Sequence, residues 1–260
     1  MRTIAVCNQK GGVGKSTMTY HLAYALAQEG KRVLVVDSDP QGNMTLAMGR
    51  KPLSEDALGL AHVLSETTKV PLADVVVPSV FAGVDVVPTT GDALNIVRNE
   101  LVVAGAAREF RLRNALSALP SGDVWDVCLI DCPPSLDQLT INALTAADSA
   151  VVVTHARLWS AQGLAKLLAN VELIREAYNP SLRVNGILAN QVEAQTSAAR
   201  HWLKEVTLFA KASGVRMLYP LVPKRVSIAD AVERSEPVVD GALKNIFSSL
   251  ARTLMQGEEK

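Results

Sequence analysis

Lys10-Gly11-Gly12-Val13-Gly14-Lys15-Ser16-Thr17 decides the fold. It stands between an apolar run at residues 3–8, which reads as a β-strand, and residues 15–28, where Leu22, Ala23, Leu26 and Ala27 recur near one helical face. Gly30 stops that helix. Glycines at such a junction let backbone N–H groups turn inward around phosphate oxygens, because no Cβ blocks the approach. The helix N-terminus adds its partial positive charge. In this geometry Lys15 reaches the β- and γ-phosphates of a nucleoside triphosphate, and the Ser16 hydroxyl goes to Mg2+. The ordinary pattern has a glycine five residues before Gly14, and Gln9 stands there instead. A second lysine, Lys10, opens the loop. In isolation Lys10 would read as a solvated charge; the glycine spacing around it gives it a phosphate role. A glycine-rich turn capped by Ser16 is the bland alternative, and the flanking strand and helix disfavour it. Residues 10–17 are therefore expected to bind ATP with Mg2+.

Outward from the loop, strand-length apolar runs alternate with stretches of helical period. Strands are expected at residues 32–37, 84–87, 124–131, 149–155, 183–190 and 215–218. Helices are expected at residues 53–65, 106–119, 136–147, 160–178, 198–211, 229–235 and 242–256. Prolines at 88, 120, 133, 134 and 180 punctuate the pattern. Alternation of this kind implies an α/β fold, a mainly parallel twisted sheet flanked by helices with right-handed crossovers, in the manner of a P-loop NTPase. No repeat or Pro/Gly/Ser-rich linker interrupts the 260 residues, so residues 1–260 read as a single domain. Ligands of such sheets sit beyond the carboxyl ends of the strands.

Composition narrows the function classes. Lys plus Arg and Asp plus Glu both number 26, so the whole chain is no electrostatic nucleic-acid binder, and a basic surface must be local. The three cysteines, Cys7, Cys128 and Cys132, form no disulfide framework. Cys7 and Cys128 lie in apolar strand patterns and read as small buried hydrophobes. The first residues enter a strand with no signal-peptide pattern, and no apolar run has the length of a membrane span. A cytoplasmic protein is expected.

Two acidic clusters follow expected strands. The first is Asp37-Ser38-Asp39-Pro40-Gln41-Gly42-Asn43. Two acids at the end of a buried strand are costly unless a magnesium-bound phosphate compensates them. One of them can orient an attacking water or hold a metal-bound water. A helix cap or turn would use the same residue types. The second is Val127-Cys128-Leu129-Ile130-Asp131-Cys132-Pro133-Pro134. An apolar strand ending in Asp is the usual second element of phosphate-loop enzymes, and Asp131 is expected to bind Mg2+ through water.

The loop, the Asp37–Asn43 stretch, Asp131-Cys132-Pro133-Pro134-Ser135-Leu136 and residues 139–148 together resemble the ParA/Soj partition ATPases, a family with a deviant Walker A loop. The resemblance runs from residue 3 to about residue 240 and is weakest at residues 51–118. It implies an ATP-driven dimer in which Lys10 reaches across to the partner's nucleotide while Lys15 acts within its own subunit. It implies that Asp39 orients the hydrolytic water and that Asp37 lies near the magnesium shell. The ATP-bound dimer would bind DNA without sequence preference, placing it on the nucleoid. A ParB-like centromere-binding protein would stimulate hydrolysis and release it.

Where the family has Pro-Arg-Asn-Val-Arg before the last helices, this chain has Pro223-Lys224-Arg225-Val226-Ser227. Candidate DNA contacts are Arg200, Lys204, Lys224 and Arg225; taken alone, each is more often an ordinary surface charge than a DNA contact. Asn190 and Pro223 are candidate nucleotide contacts, Asn190 because related proteins use a strand-end Asn for adenine; a simple turn would also place an Asn there. A MinD-like membrane-cycling ATPase is the alternative reading, as is a nucleotide switch with little hydrolysis. Membrane cycling would need a basic amphipathic C-terminal helix. Leu243, Ile246, Phe247, Leu250 and Leu254 read better as a packed core face, and Gly257-Glu258-Glu259 after them would be repelled by anionic lipid. An iron–sulfur carrier of the nitrogenase type lacks its paired interface cysteines here.

Overall fold

The computed structural model describes residues 1–49, 54, 57–89, 92–119, 124–157 and 160–256. Strand β1 (Arg2–Cys7) leads through the glycine loop into helix α1 (Lys15–Gln28). Then come β2 (Val33–Asp37), α2 (Asn43–Gly49) and α3 (Leu60–Leu64). The short β3 (Val77–Pro78) and β4 (Val84–Val87) precede α4 (Ala93–Val103) and α5 (Arg111–Ser117). Next are β5 (Val127–Asp131), α6 (Gln138–Ala146), β6 (Ser149–His155) and α7 (Ser160–Ala177). The chain continues with β7 (Arg183–Asn190), α8 (Ser197–Ala212) and β8 (Met217–Leu218), and ends with α9 (Val226–Glu233) and α10 (Gly241–Met255).

The strands form one sheet in the order β3-β4-β2-β5-β1-β6-β7-β8. Every pairing is parallel except that of the edge strand β3 with β4. The expected mainly parallel α/β sheet is thus what forms. Both faces are covered, and the strand sequences show why. Side chains alternate across a strand with period two. Ile4, Val6, Val33, Val35, Val127 and Leu129 enter one core, while Ala5, Cys7, Leu34, Val36, Cys128 and Ile130 enter the other. With both faces apolar, these strands read as continuous hydrophobic runs. Cys7 and Cys128 are buried in the second core, as small hydrophobes would be.

Helices α1 and α10 pack together on the first face, burying Leu243, Phe247, Leu250 and Leu254, with Ile246 partly covered. Two polar contacts tie α1 further. The Tyr20 hydroxyl donates to the Glu236 carbonyl at 3.2 Å, and His21 Nε2 meets the Ile228 carbonyl at 2.9 Å. A carbonyl accepts, so Nε2 carries the proton. Burial holds the ring down to about 4, so it is neutral, and it stacks on Phe247 with centroids 4.5 Å apart.

Some expectations are corrected. Residues 57–59 of the helix expected at 53–65 are not helical: Gly59 is extended and α3 starts at Leu60; residues 53, 55 and 56 lie outside those described. The helix expected at 106–119 starts at Arg111, because Ala107 takes a left-handed φ of 69° and residues 108–110 form a 3-10 turn. Helix α4 went unread because Ile96, Val102 and Val103 are exposed while Leu94, Val97 and Leu101 are buried. Apolar residues all round blur the helical period. Helix α2 went unread as well, and α9 begins three residues earlier than expected. Pro120 and residues 257–259 lie outside the described residues.

Near the edge of the sheet, the β6–β7 ladder slips by one residue: Val184 pairs with Ala150 and Gly186 with Val151, leaving Asn185 as a bulge. Gly186 is needed there. A Cβ would lie 2.7 Å from Leu218 side-chain carbons and 2.9 Å from the Arg216 carbonyl oxygen. Gly186→Ala is expected to destabilise the fold by about 1–3 kcal/mol through overpacking. Urea unfolding measures this, and an unchanged midpoint would show that β8 can move aside at no cost.

Candidate functional site

Strands β1, β2, β5 and β7 all end at one edge of the sheet, and their ends hold the site. The loop 10–17 takes left-handed backbone at Gly12 (φ 72°) and Gly14 (φ 87°). Gly14 admits no side chain for a second reason: a Cβ would run into the Asn190 amide. Asn190 Nδ2 donates to the Val13 carbonyl at 2.9 Å, and its Oδ1 accepts from the Gln191 amide at 2.8 Å. Val13 itself is fully buried. The end of β7 therefore pins the middle of the loop from one side. On the other side, Asn8 Nδ2 donates to the Val153 carbonyl and Asn8 Oδ1 accepts from the Lys10 amide. Loop shape is fixed by these bonds before any ligand arrives.

Lys15 is 6% exposed and sits at the start of α1. Three carboxylates gather near it. Asp37 and Asp131 pair across β2 and β5 and are fully buried, and Asp39 is 9% exposed. The Asp37 oxygens are engaged: Oδ2 accepts from the Thr45 amide at 2.7 Å and hydroxyl at 2.6 Å, and Oδ1 accepts from the Asp39 amide at 3.3 Å. Asp37 thereby satisfies an N–H in the first turn of α2. Thr89 completes the tie, its hydroxyl donating to the Asp37 carbonyl and its amide to Thr45 Oγ1.

Asp131 differs. Its Oδ1 accepts from the Thr19 hydroxyl at a long 3.4 Å, the Ser16 side chain lies close enough to favour the charged carboxylate, and its Oδ2 is buried with no partner. A buried carboxylate oxygen without a partner is costly and fits a cation or its bound water. Burial first, and then the Asp37 carboxylate, push Asp131 up to about 8, against the pull of Ser16 and Lys15. Asp37 rises to about 6, mainly through burial, opposed by its bonds to Thr45 and Asp39. Two of the three expected metal-binding side chains, Ser16 and Asp131, are in contact, and the third, Asp37, adjoins them.

A cavity of about 630 Å3 opens beside the loop. Gly11, Gly12, Gly14, Lys15, Ser16 and Thr17 form one wall, and Asp39 and Gln41 another. Helices α2 and α9 close it with Met44, Ala229, Val232 and Glu233. Asp39 Oδ1 accepts from the Gln41 amide at 3.0 Å, which orients the carboxylate. Lys10 is exposed and does not line this cavity. Asn190 meets the loop from behind, with both its polar ends already bonded. Pro223 bridges to Val192 just past β7, and Lys224 follows it.

The candidate basic residues gather at the same edge. Arg200 Nη1 donates to the carbonyls of Ala194 and Gln195, and Lys224 Nζ pairs with Glu193 at 3.1 Å. Arg225 precedes α9 and is exposed, and Lys204 is exposed one turn beyond Arg200 on α8. Residues 193–195 thus join Arg200 to Lys224. Sequence reasoning missed Thr45, Thr19 and Asn8. Thr19 stood one helical turn after Lys15, which was signal enough; Thr45 reaches Asp37 through the α2 fold, which was not foreseen.

A family model described as an AAA domain matches residues 1–184. The chromosome partitioning protein ParA of Caulobacter vibrioides is 34% identical over 99% of this chain and 95% of its own. The chromosome-partitioning ATPase Soj of Thermus thermophilus is 39% identical over 89% and 84%. Among solved structures, a cobyrinic acid a,c-diamide synthase from Mycobacterium smegmatis with bound ATP analog and magnesium has a TM-score of 0.82. It is 30% identical and covers 98% of this chain and 94% of its own.

The carboxylate cluster sets a pH dependence. An unfolded Asp titrates near 3.8, whereas folded Asp131 holds its proton up to about 8. The folded state then binds more protons, and stability falls as pH rises through that range. His21 and His155, both held below 6.5, act in the opposite sense, but only below that value. Between pH 6.5 and 8 the nucleotide-free protein is therefore expected to lose stability. The loss should vanish in Asp131→Asn and with saturating Mg-ADP. Urea midpoints across this range measure it; a rise in the wild type would refute the charge crowding.

Proposed function

We propose, for a chain that belongs to the ParA/Soj family of partition ATPases, that its ATP-bound dimer holds DNA and lets it go on hydrolysis. The protein is an ATPase, and ATP with Mg2+ is its cofactor pair. One observation supports the two-subunit reading most directly. Lys15 lies buried inside the cavity, while Lys10, which belongs to the same loop, is exposed outside it. A lysine on the outer side of the loop is free to meet a nucleotide held by a second copy. In that arrangement Lys15 neutralises phosphate charge in cis and Lys10 does so in trans.

The remaining residues take roles that their surroundings favour. Backbone N–H groups of 11–17 cradle the phosphates. Ser16 and Asp131 would hold Mg2+, which when bound neutralises charge shared between phosphate oxygens. Asp37 positions α2 and keeps the Asp39 backbone in place. Asp39 accepts a hydrogen bond from the attacking water and aims it at the terminal phosphate. Arg200, Lys204, Lys224 and Arg225 contact DNA phosphates without reading bases. Lys224 would exchange Glu193 for phosphate. A ParB-like protein would set the rate of hydrolysis, and the ATP-bound dimer would sit on the nucleoid. The membrane alternative is disfavoured, because the apolar side of α10 is packed on α1; among the described residues no helix is long and apolar enough to cross a membrane.

Co-sedimentation with DNA, in ATP, in ADP and without nucleotide, tests the reading. DNA is expected in the pellet with ATP only, and retention should fall steeply as salt rises. The double variant Lys224→Glu, Arg225→Glu should lose DNA with ATP affinity within about twofold, since it removes phosphate contacts only. Equal retention in all three nucleotide states would overturn the proposal. Asp39→Ala should bind ATP and dimerise but slow turnover by about 100-fold or more, as removal of a water-orienting base does. Turnover at the wild-type rate would remove Asp39 from the chemistry.

A further inference from the structure

At the opposite edge of the sheet, where the strands begin, a second recess of about 300 Å3 is lined by Arg2, Arg183, Arg216, Ser149 and Asp148. Arg2, Arg183 and Ser149 are the first residues of β1, β7 and β6, and Arg216 stands just before β8. In a chain with no net charge, three guanidinium groups here face one carboxylate. Their partners sharpen the imbalance. Arg216 donates from Nε to the Asn185 carbonyl at 2.7 Å and from Nη2 to Asn185 Oδ1 at 2.5 Å. Arg2 donates from Nη1 to the Met255 carbonyl at 2.9 Å. These acceptors are neutral: they hold the two side chains in place without cancelling their charge. Among the described residues none of the three arginines forms an ion pair, whereas Arg32, Arg111 and Arg175 all do. Asp148 Oδ2 is occupied by the Thr3 amide at 2.7 Å.

Two further features mark a built site. The Ser149 residue is 4% exposed, and its Oγ is buried without a hydrogen-bond partner, although it borders this recess. The bulge at Asn185 and the missing side chain at Gly186 let the Arg216 backbone come close enough for the bidentate clamp on Asn185. Bulges re-aim side chains in this way beside functional sites. Fixed guanidinium forks with an unpartnered hydroxyl are the donor set that a tetrahedral oxyanion satisfies. The volume is at the small end for ligand pockets.

We propose that this recess binds a phosphate dianion, as inorganic phosphate or as the phosphate of a small monoester. Arg183 and Arg2 supply the charge, the unpartnered Ser149 hydroxyl in the recess wall is the neutral donor, and Arg216 is a positioned third cation. The site is separate from the nucleotide loop. Strand β7 spans the distance with eight residues, from Arg183 here to Asn190 behind the loop, or roughly 23 Å at the rise of a β-strand.

The test is equilibrium dialysis of the full chain with inorganic phosphate and, separately, glucose 6-phosphate, with the loop saturated by Mg-ADP. One equivalent is expected to bind under these conditions, and equally in Lys15→Ala. Arg183→Gln, at an exposed position that leaves the fold intact, should weaken binding about tenfold or more, as loss of a charge-assisted contact does. Ser149→Ala should weaken it about fivefold. Tighter binding of glucose 6-phosphate assigns the site to monoesters, and equal or weaker binding assigns it to the free ion. No binding of either probe, binding unchanged in Arg183→Gln, or a loss of DNA retention in Arg183→Gln without phosphate binding would each overturn the proposal.

Discussion

The structure depends on burying charge where parallel strands end. Asp37 and Asp131 lie side by side in a fully buried register, with Lys15 opposite them. Such a cluster is tolerable only where backbone amides, hydroxyls and a positive end meet it. The β2–β5 pairing sets the two acids together, α1 brings the lysine, and α2 supplies the Thr45 amide and hydroxyl. Each of these elements is held in place by an apolar face, so the two hydrophobic cores pay for the polar edge. The cluster is still short of positive charge, as the unpartnered Asp131 oxygen shows. On the proposed reading, a ligand bearing magnesium would complete it, and nucleotide binding would then be an electrostatic requirement of the edge as well as a fit of shape.

Much of this was legible in the sequence, for a simple reason. Parallel strands covered on both faces are continuous apolar runs, and β6 and β7 were read with their observed bounds. The loop was legible because glycine spacing carries the backbone requirement directly: Gly12 and Gly14 do occupy left-handed conformations. An Asp after an apolar strand is common; these acids were legible because two such clusters follow the glycine loop in order. What escaped notice depends on contacts between distant segments. Asn190 was read as a nucleotide contact or a turn residue; that its amide braces Val13, 177 residues earlier in the chain, was not foreseen. Thr45 acquires its role only when α2 folds against β2. Helix α4 hides its period behind exposed Ile96, Val102 and Val103.

The two edges of the sheet are built by opposite means. At the carboxyl edge, buried acids crowd together with one Asp131 oxygen left unpartnered. At the amino edge, arginines anchored to neutral acceptors keep their charge. Strand β7 touches both, with Asn190 at one end and, near the other, a bulge that departs from ideal strand structure. Irregularities of this sort concentrate where a fold serves something other than its own stability.

Helix α1 has a quieter consequence. Its polar bonds from Tyr20 and His21 reach the segments around α9, and its His21 ring stacks on Phe247 of α10. The residues that shape the glycine loop and those that close the far wall of the cavity are thus mounted on one rigid frame. In a genetic screen, lesions in the C-terminal helix would therefore sort with nucleotide-binding defects, although no residue of that helix lines the nucleotide cavity.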